Sequence, residues 1–299
     1  MRLGIDLGGS KIEIIALDEQ GQEQFRQRTA TPKGDYAATL DAISGLVDDC
    51  EQALGVKGSL GIGIPGAQSM RSGLIKNANS TWLIGQDLQG DLQNRLARSV
   101  RLANDANCFA LSEAMDGSAQ GAKVVFGVII GTGCGGGLVV NGLVVQGRNA
   151  IAGEWGHNPL PWYTDEDKRL SCYCGQIGCL ETFVSGSGLE RHYQQRHGEN
   201  LSAQQLAILA EQGEPRAENL MNDYVVWLAK GLASVINLLD PEVIVLGGGL
   251  SNVAHLYQAV PAIWDQWIFS NEPTLTRLVP PMHGDSSGVR GAAWLNDLT

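Results

Sequence analysis

The residues best suited to chemistry fall in a few short clusters. The tightest is Cys172-Tyr173-Cys174, followed by Cys179. Thiolates at this C-x-C-x4-C spacing bind Zn²⁺, and a closed structural zinc site takes four ligands. Three cysteines leave one place, which His157, His192, His197 or a distant cysteine would fill. The plain alternative is a set of buried structural thiols. With four protein ligands the metal keeps no open position for water, so its role would be structural.

A second kind of cluster is glycine-rich. Asp6-Leu7-Gly8-Gly9-Ser10-Lys11 offers backbone N–H groups, a hydroxyl and an ammonium to phosphate oxygens, with Asp6 placed to hold Mg²⁺. Gly131-Thr132-Gly133-Cys134-Gly135 offers a similar cradle. Gly247-Gly248-Gly249 would suit close approach of a nucleotide base or ribose. Each alone also reads as an ordinary turn or a close helix–strand contact. Neither the Walker A spacing nor G-x-G-x-x-G leading into a helix is present, which disfavours P-loop and dinucleotide folds. Carboxylates supply the third kind. Asn104-Asp105 stands where a strand gives way to a helix, and reads either as a plain N-cap or as a ligand-facing general base. Glu154 and His157 lie in Gly153-Glu154-Trp155-Gly156-His157, and Glu181 closely follows Cys179.

The elements that position these groups are legible as patterns. Strands are expected over 3–7, 12–17, 60–64, 100–103, 124–130, 138–140 and 243–246. Helices are expected over 35–54, 88 to about 100, 106–119, 203–211, 217–239, 253–267 and from about 287. The opening strand–glycine–strand unit recurs about 125 residues later, which predicts two related α/β halves facing a cleft. In such folds ligands bind at the carboxyl ends of strands.

Composition limits the partners. Of 299 residues 39 are glycine, with no collagen period, and 43% hydrophobic residues argue for a folded core. A formal charge of −11 disfavours nucleic acid and anionic membrane as partners. No apolar run approaches a membrane span, and Met1-Arg2-Leu3-Gly4-Ile5-Asp6 holds no signal core. The expected location is the cytoplasm, where six cysteines would not form disulfides.

Taken together the motifs resemble the ROK family (repressors, open reading frames, kinases) of sugar kinases. They are DLGGSK at 6–11, GIPG at 63–66, LANDANC at 102–108, IGTGCGGG at 130–137, AGEWGH at 152–157 and CYCGQIGCLE at 172–181. LGGGLSN at 246–252 and GDSSGVRGAAW at 284–294 complete the set. KNANSTWL at 76–83 and EWGHNPLPW at 154–162 resemble the bacterial fructokinases within the family. The resemblance implies a duplicated actin/hexokinase-like (ribonuclease H-like) α/β fold. Residues 1–113 with 284–299 would form a small lobe, and 114–283 a large lobe carrying the zinc loop.

It implies Asp105 as the base toward a sugar hydroxyl, with Gly66, Asn79, Asn104, Glu154, His157 and Glu181 around the sugar. It implies zinc on His157, Cys172, Cys174 and Cys179. Mg²⁺·ATP would meet residues 6–11, 131–135 and Gly248. The implied reaction is phosphorylation of a hexose 6-hydroxyl, with D-fructose as the expected substrate. Glucose, mannose or an N-acetylhexosamine are the alternatives, and a non-catalytic sugar sensor is the rival from another class. A homodimer is a family expectation. DLGG begins at residue 6, leaving no room ahead of it for the helix-turn-helix of the family's repressors. Two positions depart from the commoner pattern. Ser10 stands for Thr, and Cys134 replaces an apolar residue, where a thiol beside phosphate would confer sensitivity to oxidation.

Overall fold

The computed structural model describes residues 1–297. In chain order the strands are β1 (Arg2–Leu7), β2 (Lys11–Leu17), β3 (Glu23–Ala30), β4 (Ser59–Ile64), β5 (Ala67–Gln68), β6 (Ile75–Lys76), β7 (Val100–Asn104), β8 (Val124–Ile130), β9 (Cys134–Val140), β10 (Leu143–Val144), β11 (Val243–Gly247) and β12 (Arg277–Val279). The helices are α1 (Tyr36–Leu54), α2 (Leu88–Leu96), α3 (Asp105–Met115), α4 (Glu181–Val184), α5 (Gly186–His197), α6 (Ala203–Glu211), α7 (Pro215–Leu239), α8 (Leu256–Ala259), α9 (Pro261–Trp264) and α10 (Ser287–Trp294). Two compact units result. The first comprises Met1–Gly121, Gly137–Ala152 and the chain from Asp285 onward, and the second Ala122–Gly136 and Gly153–Gly284.

These units divide the chain differently from the 1–113/114–283 scheme, because 114–121 and 137–152 lie with the first unit. The reason is contact: a Cβ on Gly137 would sit 2.3 Å from the carbonyl oxygen of Ala106, so this part of β9 lies directly on α3.

The first sheet has the order β3-β2-β1-β4-β7, antiparallel from β3 to β1 and parallel from β1 to β7. Alternation along β1 explains its two faces. Leu3, Ile5 and Leu7 enter a core shared with Ile43 and Val47 of α1 and Leu88 and Leu92 of α2. On the opposite face Gly4 and Gly61 let α10 approach the sheet. A Cβ at either would lie 2.2 or 2.0 Å from the carbonyl oxygens of Val289 and Ala292.

The second sheet has the order β10-β9-β8-β11-β12. Counted from the start of each half this is the same order as in the first sheet, so the duplication inferred from the two glycine openings extends to whole sheets. β11 runs parallel to β8 and β12, and the β9–β10 hairpin turns at Asn141 and Gly142, both at positive φ.

Three expectations change. The segment 134–137 is strand, so the second glycine turn is shorter than its composition suggests. Residues 253–267 form α8, α9 and a 3-10 turn, since Pro261 cannot donate to a continuous helix and starts α9 instead. α5 is a helix the periodicity did not reveal, because its Gly- and Gln-rich sequence shows few apolar positions. Among the described residues no helix is long and apolar enough to cross a membrane.

Candidate active site

In the first unit β1 delivers Asp6 to the end of the sheet, paired in register with Glu13 and Gly63. Burial, then the negative charges of Asp105 and Glu13, push its carboxyl up to about 6, and Lys11 only partly opposes them. Negative charge gathered with too little compensation is the environment of a cation site. The turn between β1 and β2 is oriented by a residue the motif reading missed. Thr31 donates its hydroxyl to the Gly8 carbonyl (2.7 Å) and its N–H to the Ser10 carbonyl (3.1 Å). In a trans peptide the following N–H points the opposite way, so the Gly9 N–H faces away from Thr31. Ser10 and Lys11 are exposed, whereas the Leu7 side chain is in the core and offers a ligand only its backbone.

Asp105 opens α3 and is exposed, its Oδ1 accepting from the Ala106 N–H at 2.8 Å. Asn104 is the N-cap through its side-chain oxygen, and its amide donates to the Gly66 carbonyl at 3.1 Å. The N-cap reading and the ligand-facing reading therefore fall to two neighbouring residues. Gly66 (φ +109°) lies against the backbone of Lys76 and Ala78, with exposed Asn79 next in the chain. Asp6, the first glycine turn, Gly66, Asn79, Asn104 and Asp105 all belong to this unit.

In the second unit the turn Gly131-Thr132-Gly133 is oriented in the same manner. The Gly131 carbonyl accepts from the Gly186 N–H (2.7 Å) and the Thr132 carbonyl from the Ser187 hydroxyl (2.7 Å). The N–H groups of Thr132 and Gly133 consequently point away from the start of α5, the arrangement that backbone anion sites use. Ser187 thus plays the part of Thr31. Gly248, at positive φ, abuts Ile130 and Gly131, where any Cβ would lie 2.7 Å from backbone. A cavity of about 710 Å³ adjoins this turn, lined by Gly131, Thr132, Ser187, Glu190, Gly249 and Asn252 among others. Its size suits a nucleoside. Ser187 and Glu190 lie on α5, so no sequence signal announced them.

Cys134, Gly135, Glu154, His157 and Glu181 meet beside that turn. Glu181 Oε2 accepts from the Cys134 N–H at 3.0 Å, and the Trp155 indole donates to the Gly135 carbonyl at 3.0 Å. Gly156 lies on the Cys134 carbonyl. Burial, then Glu181 and Glu154, push the Cys134 thiol well above the ordinary value. That direction disfavours the thiolate, the form on which sensitivity to oxidation would depend.

His157, Cys172, Cys174 and Cys179 converge, with one donor atom of each within 4.8 Å of all the others. Cys172 Sγ lies 3.6 Å from His157 Nδ1, and Cys174 Sγ 3.6 Å from Cys179 Sγ. A tetrahedral Zn²⁺ with Zn–S near ~2.3 Å and Zn–N near ~2.1 Å spaces its ligands about 3.5–3.8 Å apart, so the donor set fits zinc. His192 and His197 are elsewhere: His192 is buried against Phe183 and Trp227, and His197 lies on Tyr193. The Gln176 N–H draws the Cys174 thiol down to about 7, while burial holds Cys172 and Cys179 above the ordinary value. The loop is pinned from behind by Asp167, which accepts from the Trp227 indole (2.6 Å) and pairs with buried Lys230 (3.2 Å). Tyr173, not singled out from the sequence, places its hydroxyl 3.1 Å from His157 Nε2.

The profile of the ROK family matches residues 2–297, and the chain belongs to that family. It is 42% identical to the N-acetyl-D-glucosamine kinase of Photobacterium profundum, over 99% of both chains. It is 41% identical to the enzyme of that name from Vibrio cholerae serotype O1, again over 99% of both. Among solved structures it resembles the ROK hexokinase of Thermus thermophilus, with a TM-score of 0.87 and 30% identity over 98% of this chain and 97% of the other. A ROK family glucokinase from Streptomyces griseus, solved with glucose and AMPPNP, gives 0.77 and 27% over the same shares. The expected two-lobed α/β fold of the hexokinase type is present. The expected kinship with fructokinases finds no support here: the two relatives above 40% identity are both named N-acetyl-D-glucosamine kinase.

Proposed function

We propose that the protein is an ATP-dependent sugar kinase that phosphorylates the 6-hydroxyl of an N-acetylhexosamine, with N-acetyl-D-glucosamine as the preferred acceptor. The observation that carries the chemistry is Asp105, exposed at the first turn of α3 beside the acidic Asp6 and the oriented glycine turn. The substrate assignment is supported by the 42% identical N-acetyl-D-glucosamine kinase matched over its full length. It replaces the fructose expectation.

Phosphoryl transfer depends on positioning and charge stabilisation more than on covalent chemistry. Asp105 takes the proton of the attacking sugar hydroxyl, while its Oδ1 stays oriented by the Ala106 N–H. Glu154, His157 and Glu181 hold the other sugar hydroxyls, in keeping with the family resemblance. In the second unit the N–H groups of Thr132 and Gly133 are offered to phosphate oxygens and the cavity beside Gly131 to the nucleoside, and in the first unit the Gly9 N–H is offered to phosphate. Asp6 would hold the Mg²⁺ that accompanies ATP, and the ion would supply charge neutralisation at the transferring phosphate. His157, Cys172, Cys174 and Cys179 would hold a structural zinc, which would keep the sugar-binding loop in shape.

A coupled ADP-release assay over N-acetylglucosamine, N-acetylmannosamine, glucose, mannose and fructose tests the reading. N-acetylglucosamine should lead in kcat/KM. A sugar without the acetamido group in first place would overturn the substrate assignment. Sugar binding without ADP release would favour a sensor.

A further inference from the structure

The imidazole of His157 has two ring nitrogens with different neighbours. Nδ1 faces Cys172 Sγ at 3.6 Å, inside the cluster of metal donors. Nε2 faces the Tyr173 hydroxyl at 3.1 Å, and the two rings meet edge to face with centroids 5.2 Å apart. When Nδ1 serves a metal, Nε2 carries the proton and is the only polar atom the ring can offer to a sugar. In this structure that atom is already engaged. Tyr173 is otherwise 76% exposed, so the contact is made by a side chain with open space around it and somewhere to go.

We propose that Tyr173 is a positioning residue that sets sugar affinity, its hydroxyl competing with a sugar hydroxyl for His157 Nε2. The proposal rests on the sugar-kinase reading and deepens it. In the sugar-free protein the phenol holds the imidazole in the orientation that the sugar later uses. Binding exchanges one neutral hydrogen bond for another, and the tyrosine swings into solvent. The design keeps the histidine ordered and lowers affinity for the sugar. A net exposed hydrogen bond of ordinary strength corresponds to roughly a 2- to 10-fold effect on binding.

The test is Tyr173→Phe, which keeps the ring and removes the hydroxyl. Sugar affinity by calorimetry without ATP, kcat and KM with ATP, and zinc content by elemental analysis are measured in parallel. The expected result is a fall of roughly 2- to 10-fold in both Kd and KM for the sugar, with kcat and zinc content unchanged. Unchanged or weaker sugar binding with zinc retained would overturn the competition, the latter by showing that the hydroxyl aids binding, whether by touching sugar or by ordering His157. Loss of zinc would overturn it too, by assigning the hydroxyl to the metal site. If the wild-type protein binds none of the hexoses tested, the sugar-kinase reading is what fails. The His157–Tyr173 pair is then judged by the ¹⁵N shift of Nε2, which the substitution should move.

Discussion

Asp6 offers a test in which a residue assigned to function is held at a cost in stability. Its carboxyl rises from the ordinary 3.8 to about 6 through burial and the charges of Asp105 and Glu13. A carboxyl that is harder to ionise in the folded chain than in the unfolded one weakens the fold wherever it is ionised. The stability is complete below pH 3.8 and is lost as pH rises through about 6. At roughly 1.4 kcal/mol per pH unit the loss is of the order of 1–2 kcal/mol at pH 5 and about 3 kcal/mol at pH 8. Asp6→Asn keeps the shape and removes the charge. In Mg²⁺-free buffer the variant should therefore be the more stable protein, by about those amounts. Urea unfolding of both proteins at pH 5 and pH 8 measures the difference. Added Mg²⁺ should stabilise the wild type by mass action and leave the variant unmoved. The same variant should lose kinase activity. A variant no more stable than wild type at pH 8, or one with equal gains at both pH values, would refute the account of Asp6 as a strained cation ligand.

Other consequences follow from the same geometry. Asp105→Asn should lower kcat by about 10²- to 10⁴-fold while sugar binding by calorimetry persists, since only the proton acceptor is removed; near wild-type turnover would end the base assignment. Elemental analysis should find one zinc per chain, and Cys174→Ser should lose zinc and thermal stability together. Gly61→Ala should cost about 1–3 kcal/mol in urea unfolding, because its Cβ would lie 2.0 Å from the Ala292 carbonyl oxygen. Gly45→Ala, at an exposed position within α1 with nothing within 4 Å, should add about 0.5–1 kcal/mol.

Much of the local architecture was legible because it is periodic or punctuated. Short apolar runs marked β1, β4 and β11, helical spacing marked α1 and α2, and Asp35 and Gly55 bracket α1 as cap residues. α5 stayed hidden because its buried face depends on Gly186, Gly188 and His192, whose types carry no helical stripe. The cavity residues Ser187 and Glu190 were hidden with it. The glycine clusters read either as ligand cradles or as close packing, and several glycines serve packing: Gly4 and Gly61 admit α10, Gly137 admits α3, and Gly156 rests on Cys134. A glycine states that something comes close, and only its surroundings say whether that is a ligand or another piece of chain.

Ligand choice divides in the same manner. C-x-C-x4-C points to a metal site from spacing alone, because three thiolates within eight residues can reach one point without help from the rest of the chain. The residue types likewise suggest candidate phosphate loops and a candidate base, because backbone N–H groups and a carboxylate at a helix start act locally. The fourth metal donor, the orientation of both glycine turns by Thr31 and Ser187, and the pairing of His157 with Tyr173 were decided only by the tertiary fold. Each depends on groups far apart in the chain, or on which way a peptide or ring faces, and side-chain type alone does not encode that direction.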